Sequence, residues 1–275
     1  MPIDLHIHST ESDGTFTPEQ IIDAAKADGI DTVALCDHDT TSGLEQFISY
    51  ANQKGINAVP GVEISASSSA GECHILGLFV PLQCRPLEAA LQNYRDARAQ
   101  RNVKIIEKLC KLGVLVTIDE LSIYSKGSVA GRPHIARLLI DKGVAVSIDD
   151  AFDRYLTQGA IAYVERPRMD PFEMISLLKQ SGATVVLAHP GLLKMAESEL
   201  EKFVNTLVKA GLDALEVFTP HNTDEQIQFL MGLADKFKIR CSGGSDFHGN
   251  NTPGHKIGFY REELMVPELV KNMLI

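Results

Sequence analysis

The chain has 275 residues, 44% of them hydrophobic and 23% charged, an ordinary globular composition that excludes a disordered or fibrous protein. Its formal net charge of −10 excludes capture of a long duplex by bulk electrostatics, since a polyanion is repelled unless bound cations reverse the field locally. No apolar run approaches the ~20 residues of a membrane span, and the start, Met1-Pro2-Ile3-Asp4-Leu5-His6, lacks the basic and apolar regions of a secretory leader. A cytoplasmic location, with no membrane partner, is therefore expected. The five cysteines, Cys36, Cys73, Cys84, Cys110 and Cys241, form no Cys-x-x-Cys pair. They argue against a disulfide framework or a structural zinc site, and several lie in apolar strand-like runs, where a buried, inert thiol is expected.

Pro2 to His6 reads as a first strand. Thr17-Pro18-Glu19-Gln20 opens a helix, Thr17 as N-cap and Pro18 at the first helical position, that runs to about Ala27. Thr32 to Cys36 is a second strand, dense in apolar residues like a buried parallel strand. A helix from about Ser42 to Lys54 ends at Gly55; Ile56 to Val62 and His74 to Val80 are the third and fourth strands. From about Arg85 to Val164 the chain reads as mostly helical. Strand–helix alternation then resumes: helix Pro171 to Gln180, strand Thr184 to Ala188, helix Glu197 to Ala210, strand Ala214 to Phe218, helix Asp224 to Phe237, strand Ile239 to Ser242, and a tail helix. Repeated strand–helix units predict an α/β fold with a parallel sheet and helices outside it. About seven strands suit a closed or nearly closed barrel, an open doubly wound sheet being the alternative. The predicted domains are a barrel of residues 1–84 and 165–275, with residues 85–164 inserted as a small helical subdomain.

The nine histidines carry the functional signal. His6 and His8 follow the first strand as His-x-His, and residues two apart on an extended segment point the same way, so both imidazoles can reach one ion. His38 follows the second strand, Glu63 the third, His189 the fifth, and Asp246 and His248 the last. These are the C-terminal strand ends where barrel enzymes build active sites. His74 is the exception, lying at the start of its strand unless that strand runs antiparallel. A single histidine after a strand is ordinarily a surface or core residue; the recurrence at strand ends is what points to metal. Mixed imidazole and carboxylate ligands suit zinc, manganese or iron rather than calcium. Their spread over the chain suits a catalytic rather than a structural site.

Five motifs resemble the polymerase-and-histidinol-phosphatase (PHP) superfamily: Asp4-Leu5-His6-Ile7-His8-Ser9, Ala34-Leu35-Cys36-Asp37-His38-Asp39, Pro60-Gly61-Val62-Glu63-Ile64, Leu187-Ala188-His189-Pro190 and Gly244-Ser245-Asp246-Phe247-His248. The resemblance implies a distorted seven-stranded (β/α)7 barrel with two or three divalent ions at its rim, manganese first, with zinc, iron(II) or magnesium as alternatives. It implies that His6, His8, Glu63 and Asp246 hold one ion, Glu63, His74 and His189 a second, and Asp13, His38 and His248 a third. The nucleophile would be a metal-activated water held among His6, His8, Glu63, Asp246 and His189. Without the resemblance, Asp13 reads as a turn aspartate.

The insertion sharpens the resemblance. Ala130-Gly131-Arg132-Pro133-His134-Ile135-Ala136-Arg137, with Ala151 to Leu156 and Ala162-Tyr163-Val164, is similar to a bacterial branch acting on nucleotides. That branch includes 3′,5′-nucleotide bisphosphate phosphatases and 5′–3′ exoribonucleases similar to RNase AM. Gly131 to His134 opens a helix whose N-terminus favours an anion, and Arg132 offers a planar fork for phosphate; the plain alternative is a cap beside a surface arginine. Arg132 and His134 are the expected contacts for a second phosphate. The implied activity is hydrolysis of the 3′-phosphate of a nucleotide 3′,5′-bisphosphate, or 5′–3′ hydrolysis of short 5′-phosphorylated RNA, by a monomer or small homo-oligomer. The rivals are a histidinol-phosphate-type phosphatase and a carbon–nitrogen amidohydrolase. Arg154 is expected in a salt bridge, His221 and Asn222 at the rim, and His255 in a loop.

Overall fold

Strands and capped helices alternate along the polypeptide. A computed structural model describes residues 2–68, 71–125, 130–165, 170–261 and 263–274; those parts of the expected barrel and insertion that fall on other residues lie outside it. β1 (Ile3–Ile7) is buried at every residue, as a parallel strand covered on both faces must be. α1 (Pro18–Ala27) starts where Thr17 and Gln20 cap each other: Gln20 N–H donates to Thr17 Oγ1 at 3.3 Å and Thr17 N–H to Gln20 Oε1 at 2.9 Å. β2 (Thr32–Leu35) and α2 (Leu44–Lys54) follow, the helix ending on Gly55.

β3 (Asn57–Ser68) runs parallel to β2, but β4 (Gly71–Leu78) runs antiparallel to it, with Glu63 opposite Leu76 and Ser65 opposite His74. The third strand therefore extends past its expected end at Val62. It has a hairpin partner, and pairing outweighs the serine-rich composition that reads as loop. Because β4 is reversed, its beginning lies at the same end of the sheet as the C-termini of the parallel strands. That places His74 beside Glu63.

After β4 come α3 (Arg85–Lys111), α4 (Ile118–Ser125), α5 (Arg132–Asp141) and α6 (Ile148–Ala151), the last continued by a π turn at Phe152–Leu156. α7 (Pro171–Gln180), β5 (Thr184–Leu187), α8 (Glu197–Ala210), β6 (Ala214–Phe218), α9 (Asp224–Phe237) and β7 (Arg240–Gly243) complete the alternation. The tail is 3-10 rather than α-helical at Glu268–Leu274, and is preceded by a hairpin of β8 (Phe259–Arg261) and β9 (Leu264–Met265). Strands of three and two residues are too short for alternation to reveal them.

The seven-stranded sheet has the order β1-β2-β3-β4-β5-β6-β7, parallel apart from β4. Its ends meet at one bridge, Ile7 with Phe247, where His8 N–H donates to Phe247 O at 2.9 Å. The sheet is thus a nearly closed, distorted seven-stranded barrel and not an open doubly wound sheet.

One apolar core fills and surrounds the barrel, from Ile3, Leu5 and Ile7 to Val270 and Met273. A second lies between the helices that follow β4, with Ile105, Leu109, Leu121, Ile135, Leu139 and Leu156. α3 spans both, since its Leu87 and Leu91 pack into the barrel core. Its 27 residues, about 1.5 Å each, are long enough to connect them. Cys36 and Cys73 are buried, whereas Cys110, on α3, is exposed. Among the described residues no helix is long and apolar enough to cross a membrane.

Candidate metal centre

At the rim the alternate residues of β1 and its extension deliver His6 and His8, whose Nε2 atoms lie 3.1 Å apart. Asp246 Oδ1 is 3.4 Å from His6 Nε2 and 3.2 Å from His8 Nε2, while Glu63 Oε2 is 3.4 and 3.1 Å from the same atoms. Glu63 stands at the hub. Its Oε1 lies 2.9 Å from His74 Nδ1 and 3.0 Å from His189 Nε2, and its Oε2 lies 3.1 Å from His38 Nδ1. Asp13 is 3.3 Å from His248 Nε2 and 3.9 Å from both His8 Nδ1 and His38 Nε2.

All nine expected ligands thus converge. By distance they form overlapping sets: His6, His8 and Asp246; His6, Glu63 and His189; His38, Glu63 and His74; and His8, Asp13, His38 and His248. Within each set the donor atoms lie within 4.8 Å of one another, a spread suited to ligands about 2.0–2.2 Å from a shared ion. The sets overlap more than the division implied by the family: His6, His8 and His38 each belong to two, as Glu63 does in both.

The donors fit metal on a second ground. His8 Nδ1, His38 Nδ1 and Glu63 Oε2 are buried yet have no hydrogen-bond partner among the described residues, a costly arrangement unless an ion satisfies such atoms. Burial opposes ionisation of Glu63, but His38, His74 and His6 overcome it and hold the carboxyl well below its ordinary range. Asp13 and Asp246 are lowered well below theirs in the same way, against burial, by the imidazoles beside them.

Local backbone shape carries the candidate ligands inward. His189 and Asp246 have φ of 28° and 50°, left-handed values uncommon for non-glycine residues and concentrated at functional sites. Gly14 lets the Asp13 loop fold onto β1, since a Cβ there would lie 2.5 Å from His8 O. Gly244 does the same for the Asp246 loop, where a Cβ would meet His6 Cβ at 2.5 Å.

Several buried polar residues that contact the candidate ligands or their loops carry no motif in the sequence. Glu216 in β6 accepts from His6 Nδ1 at 2.9 Å and from His189 N–H at 2.7 Å. Its signal was a carboxylate within the apolar strand Ala214 to Phe218. Asp37 accepts from Ser9 N–H and the Ser9 and Ser12 hydroxyls. Asp4 accepts N–H donors from His6, Ser245 and Gly258, and burial raises its pKa to about 6 despite them.

His221 reaches the rim, with Nε2 2.8 Å from Asp246 Oδ2. Asn222 is buried and braces the His189 turn: Gly191 N–H donates to its Oδ1 at 2.9 Å, and its Nδ2 donates to Glu216 O and Val217 O. His255 is outside regular structure, its ring 5.6 Å from that of His221. Arg154 pairs with Asp150 at 3.1 Å. Arg132 pairs with Glu72, with its guanidinium 5.9 Å from the Phe152 ring centre. Arg132 lines a cavity of about 290 Å³ together with Asp13, His38, His74, His189 and Arg98. His134 Nδ1 accepts the Gly131 N–H at 3.0 Å, and burial lowers the pKa of its ring.

The PHP domain model matches residues 4–157. A 5′-3′ exoribonuclease from Haemophilus influenzae is 35% identical over 245 residues, 89% of each chain. A 3′,5′-nucleoside bisphosphate phosphatase from Chromobacterium violaceum is 32% identical over 93% of this chain and 90% of its own. A solved structure of a conjectured metal-dependent phosphoesterase from Bifidobacterium adolescentis is 29% identical with a TM-score of 0.88, covering 100% of this chain and 97% of its own.

Proposed function

The chain belongs to the PHP domain family and is a metal-dependent phosphoric ester hydrolase; from that premise we propose that it removes the 3′-phosphate of a nucleotide 3′,5′-bisphosphate and cleaves short 5′-phosphorylated RNA from its 5′ end. One observation carries this reading. Asp13, His38, His74 and His189 of the ligand cluster also line the cavity that holds Arg132, so a phosphate at the cluster and a second phosphate at a guanidinium fit one substrate. The net charge of −10 and a cavity of about 290 Å³ suit a nucleotide or a strand end better than a duplex.

In this reading His6, His8, Glu63 and Asp246 hold one divalent ion, Glu63, His74 and His189 another, and Asp13, His38 and His248 a third, with manganese the first candidate. Such ions acidify a bound water and take up charge on phosphoryl oxygens. The chain's own residues set the geometry. Glu216 orients His6 and the His189 backbone, and Asn222 holds the turn after His189. Arg132 binds the phosphate that stays, its planar fork matching two oxygens, and His134 lies in the same first turn of α5. Glu72 neutralises Arg132 in the structure, so an incoming phosphate has to displace or share that carboxylate. The helices after β4 thereby supply substrate contacts to a centre held by the barrel.

The test is turnover of adenosine 3′,5′-bisphosphate, adenosine 3′-monophosphate and 5′-phosphorylated or 5′-hydroxyl oligoribonucleotides by protein stripped of metal and reloaded with manganese, zinc, iron(II) or magnesium. Wild type is expected to prefer the 5′-phosphorylated member of each pair, and Arg132→Ala to lose that preference. An equal fall on both members of a pair would remove Arg132 from phosphate binding.

A further inference from the structure

On the Asp246 side of the rim a cavity of about 680 Å³ opens against the β8–β9 hairpin, and it shares no lining residue with the cavity that holds Arg132. His255, Phe259 and Tyr260 put three rings on it, and Lys256 and Arg261 put two cations there against one carboxylate, Glu263. The Lys256 ammonium lies 4.7 Å from the Phe259 ring centre, and the Arg261 guanidinium 5.9 Å from that of Tyr260. Lys256 pairs with Asp28 at 3.5 Å and Arg261 with Asp224 at 2.7 Å. Surface pairs of this kind contribute little, so a phosphate can replace either carboxylate at small cost. The larger cavity beside α3, about 1040 Å³, has the opposite balance, with Glu11, Glu45, Glu88 and Asp96 against Arg95 and Arg98. In a chain of net charge −10, the hairpin cavity is the one of these two that a string of phosphates can enter.

The hairpin cavity is also joined to the rim. His255 Nδ1 lies 3.4 Å from Asp246 O, and the His221 ring lies 5.6 Å from the rings of both His255 and His189. Arg261 Nη2 donates to Asn222 O at 3.1 Å. With the 5′-phosphate of a first nucleotide at Arg132 and its 3′-phosphate at the ligand cluster, the nucleotide joined to that 3′-phosphate has to continue away from Arg132.

We propose that the β8–β9 hairpin and the loop 253–256 seat the nucleotide that follows the cleaved linkage: its base stacks on the rings of His255, Phe259 and Tyr260, and its 3′ phosphodiester meets Lys256 and Arg261. This rests on the RNA half of the substrate reading above and adds the surface that holds the strand left behind. Rings beside cations hold single strands with little regard to sequence, since every base has a flat face to stack. A nucleotide 3′,5′-bisphosphate has no following nucleotide and makes no use of the hairpin.

The experiment compares wild type, Phe259→Ala, Phe259→Leu and Lys256→Glu, loaded with manganese, on 5′-phosphorylated pentaadenylate RNA and on adenosine 3′,5′-bisphosphate. Leucine keeps apolar packing but removes the flat ring, and Lys256 is half-exposed, so both variants hold the fold if Phe259→Ala does not. Melting temperature and metal content are recorded for each. The expected result is a KM for the RNA raised about 5- to 100-fold, the range for losing one stacked base, with the KM for the bisphosphate unchanged. The loss in Lys256→Glu should shrink as salt is raised. Equal effects on both substrates, or none on either, in Phe259→Leu and Lys256→Glu would overturn the proposal. If wild type does not cleave the RNA, that half of the substrate reading fails. The seat is then decided by fluorescence anisotropy with a 3′-labelled pentaadenylate whose first linkage is a hydrolysis-resistant 3′-methylenephosphonate. Weaker binding by Phe259→Leu and Lys256→Glu upholds the seat; equal binding by all, or none by wild type, overturns it.

Discussion

Glu216 accepts a hydrogen bond from His6 Nδ1 at 2.9 Å, both residues fully buried. With a proton held on Nδ1, Nε2 of His6, 3.4 Å from both Glu63 Oε2 and Asp246 Oδ1, is the nitrogen left to face a shared ion once it gives up its own proton. A carboxylate behind a ligating imidazole fixes its tautomer and raises its basicity.

Glu216→Gln is therefore expected to weaken metal binding about 10- to 100-fold while the barrel still folds. Competition with a chromophoric chelator measures this directly. Unchanged affinity in a variant of normal melting temperature would show that Glu216 does not orient the ligand.

Metal loading should expel protons. Burial opposes charge on His8, but the Asp246 and Glu63 carboxylates beside its Nε2 prevail and raise its pKa to about 10. His74 is likewise raised to about 10, Glu63 and Glu72 overcoming burial. Burial dominates at His38 and lowers it to about 3, so that ring is neutral at any working pH. Near neutrality the unloaded site thus holds His8 and His74 protonated, as well as His6, where burial is overcome by Glu216, Glu63 and Asp246, and each must lose a proton to ligate. Apparent affinity should rise with pH by about tenfold per unit for each proton released. The stability of the unloaded protein has the opposite sense: the raised imidazoles contribute fully below their ordinary value of 6.5, and the contribution is lost as pH climbs through about 10. Calorimetric titration with manganese in buffers of different ionisation enthalpy counts the protons, and a count of zero would contradict this account.

Asn222→Ala removes one acceptor and one donor group that together hold Gly191, Glu216 and Val217 backbone atoms. Leaving those buried groups unmet should cost about 2 kcal/mol in urea unfolding of the metal-free protein. It should also lower metal affinity through the His189 turn. A loss below about 0.5 kcal/mol, the range of an ordinary surface change, would mean that water takes over the bonds.

Much of the barrel was legible because its elements declare themselves locally. Thr17-Pro18-Glu19-Gln20 caps α1 as its residue types require, and α7, α8 and α9 begin and end where turn chemistry sets them. The reversal of β4 was not legible. Strand direction depends on which neighbour supplies the hydrogen bonds, so the composition of Gly71 to Leu78 left both directions open. Glu216 and Arg98 were missed for a related reason: each looks like a stray charge in its own element, and its meaning lies in a partner 210 or 59 residues away.

The sequence by itself determined the donor types, the His-x-His spacing along an extended strand, and the recurrence of imidazole and carboxylate at strand ends. These follow from side-chain chemistry and the two-residue period of a strand. Only the tertiary structure decided that Glu63 lies among five imidazoles, that His6, His8 and His38 each belong to two overlapping sets, and that Arg98 shares a cavity with the cluster. Those relations arise where a nearly closed sheet brings residues distant in sequence within about 3 Å of one another, and no local pattern encodes that distance.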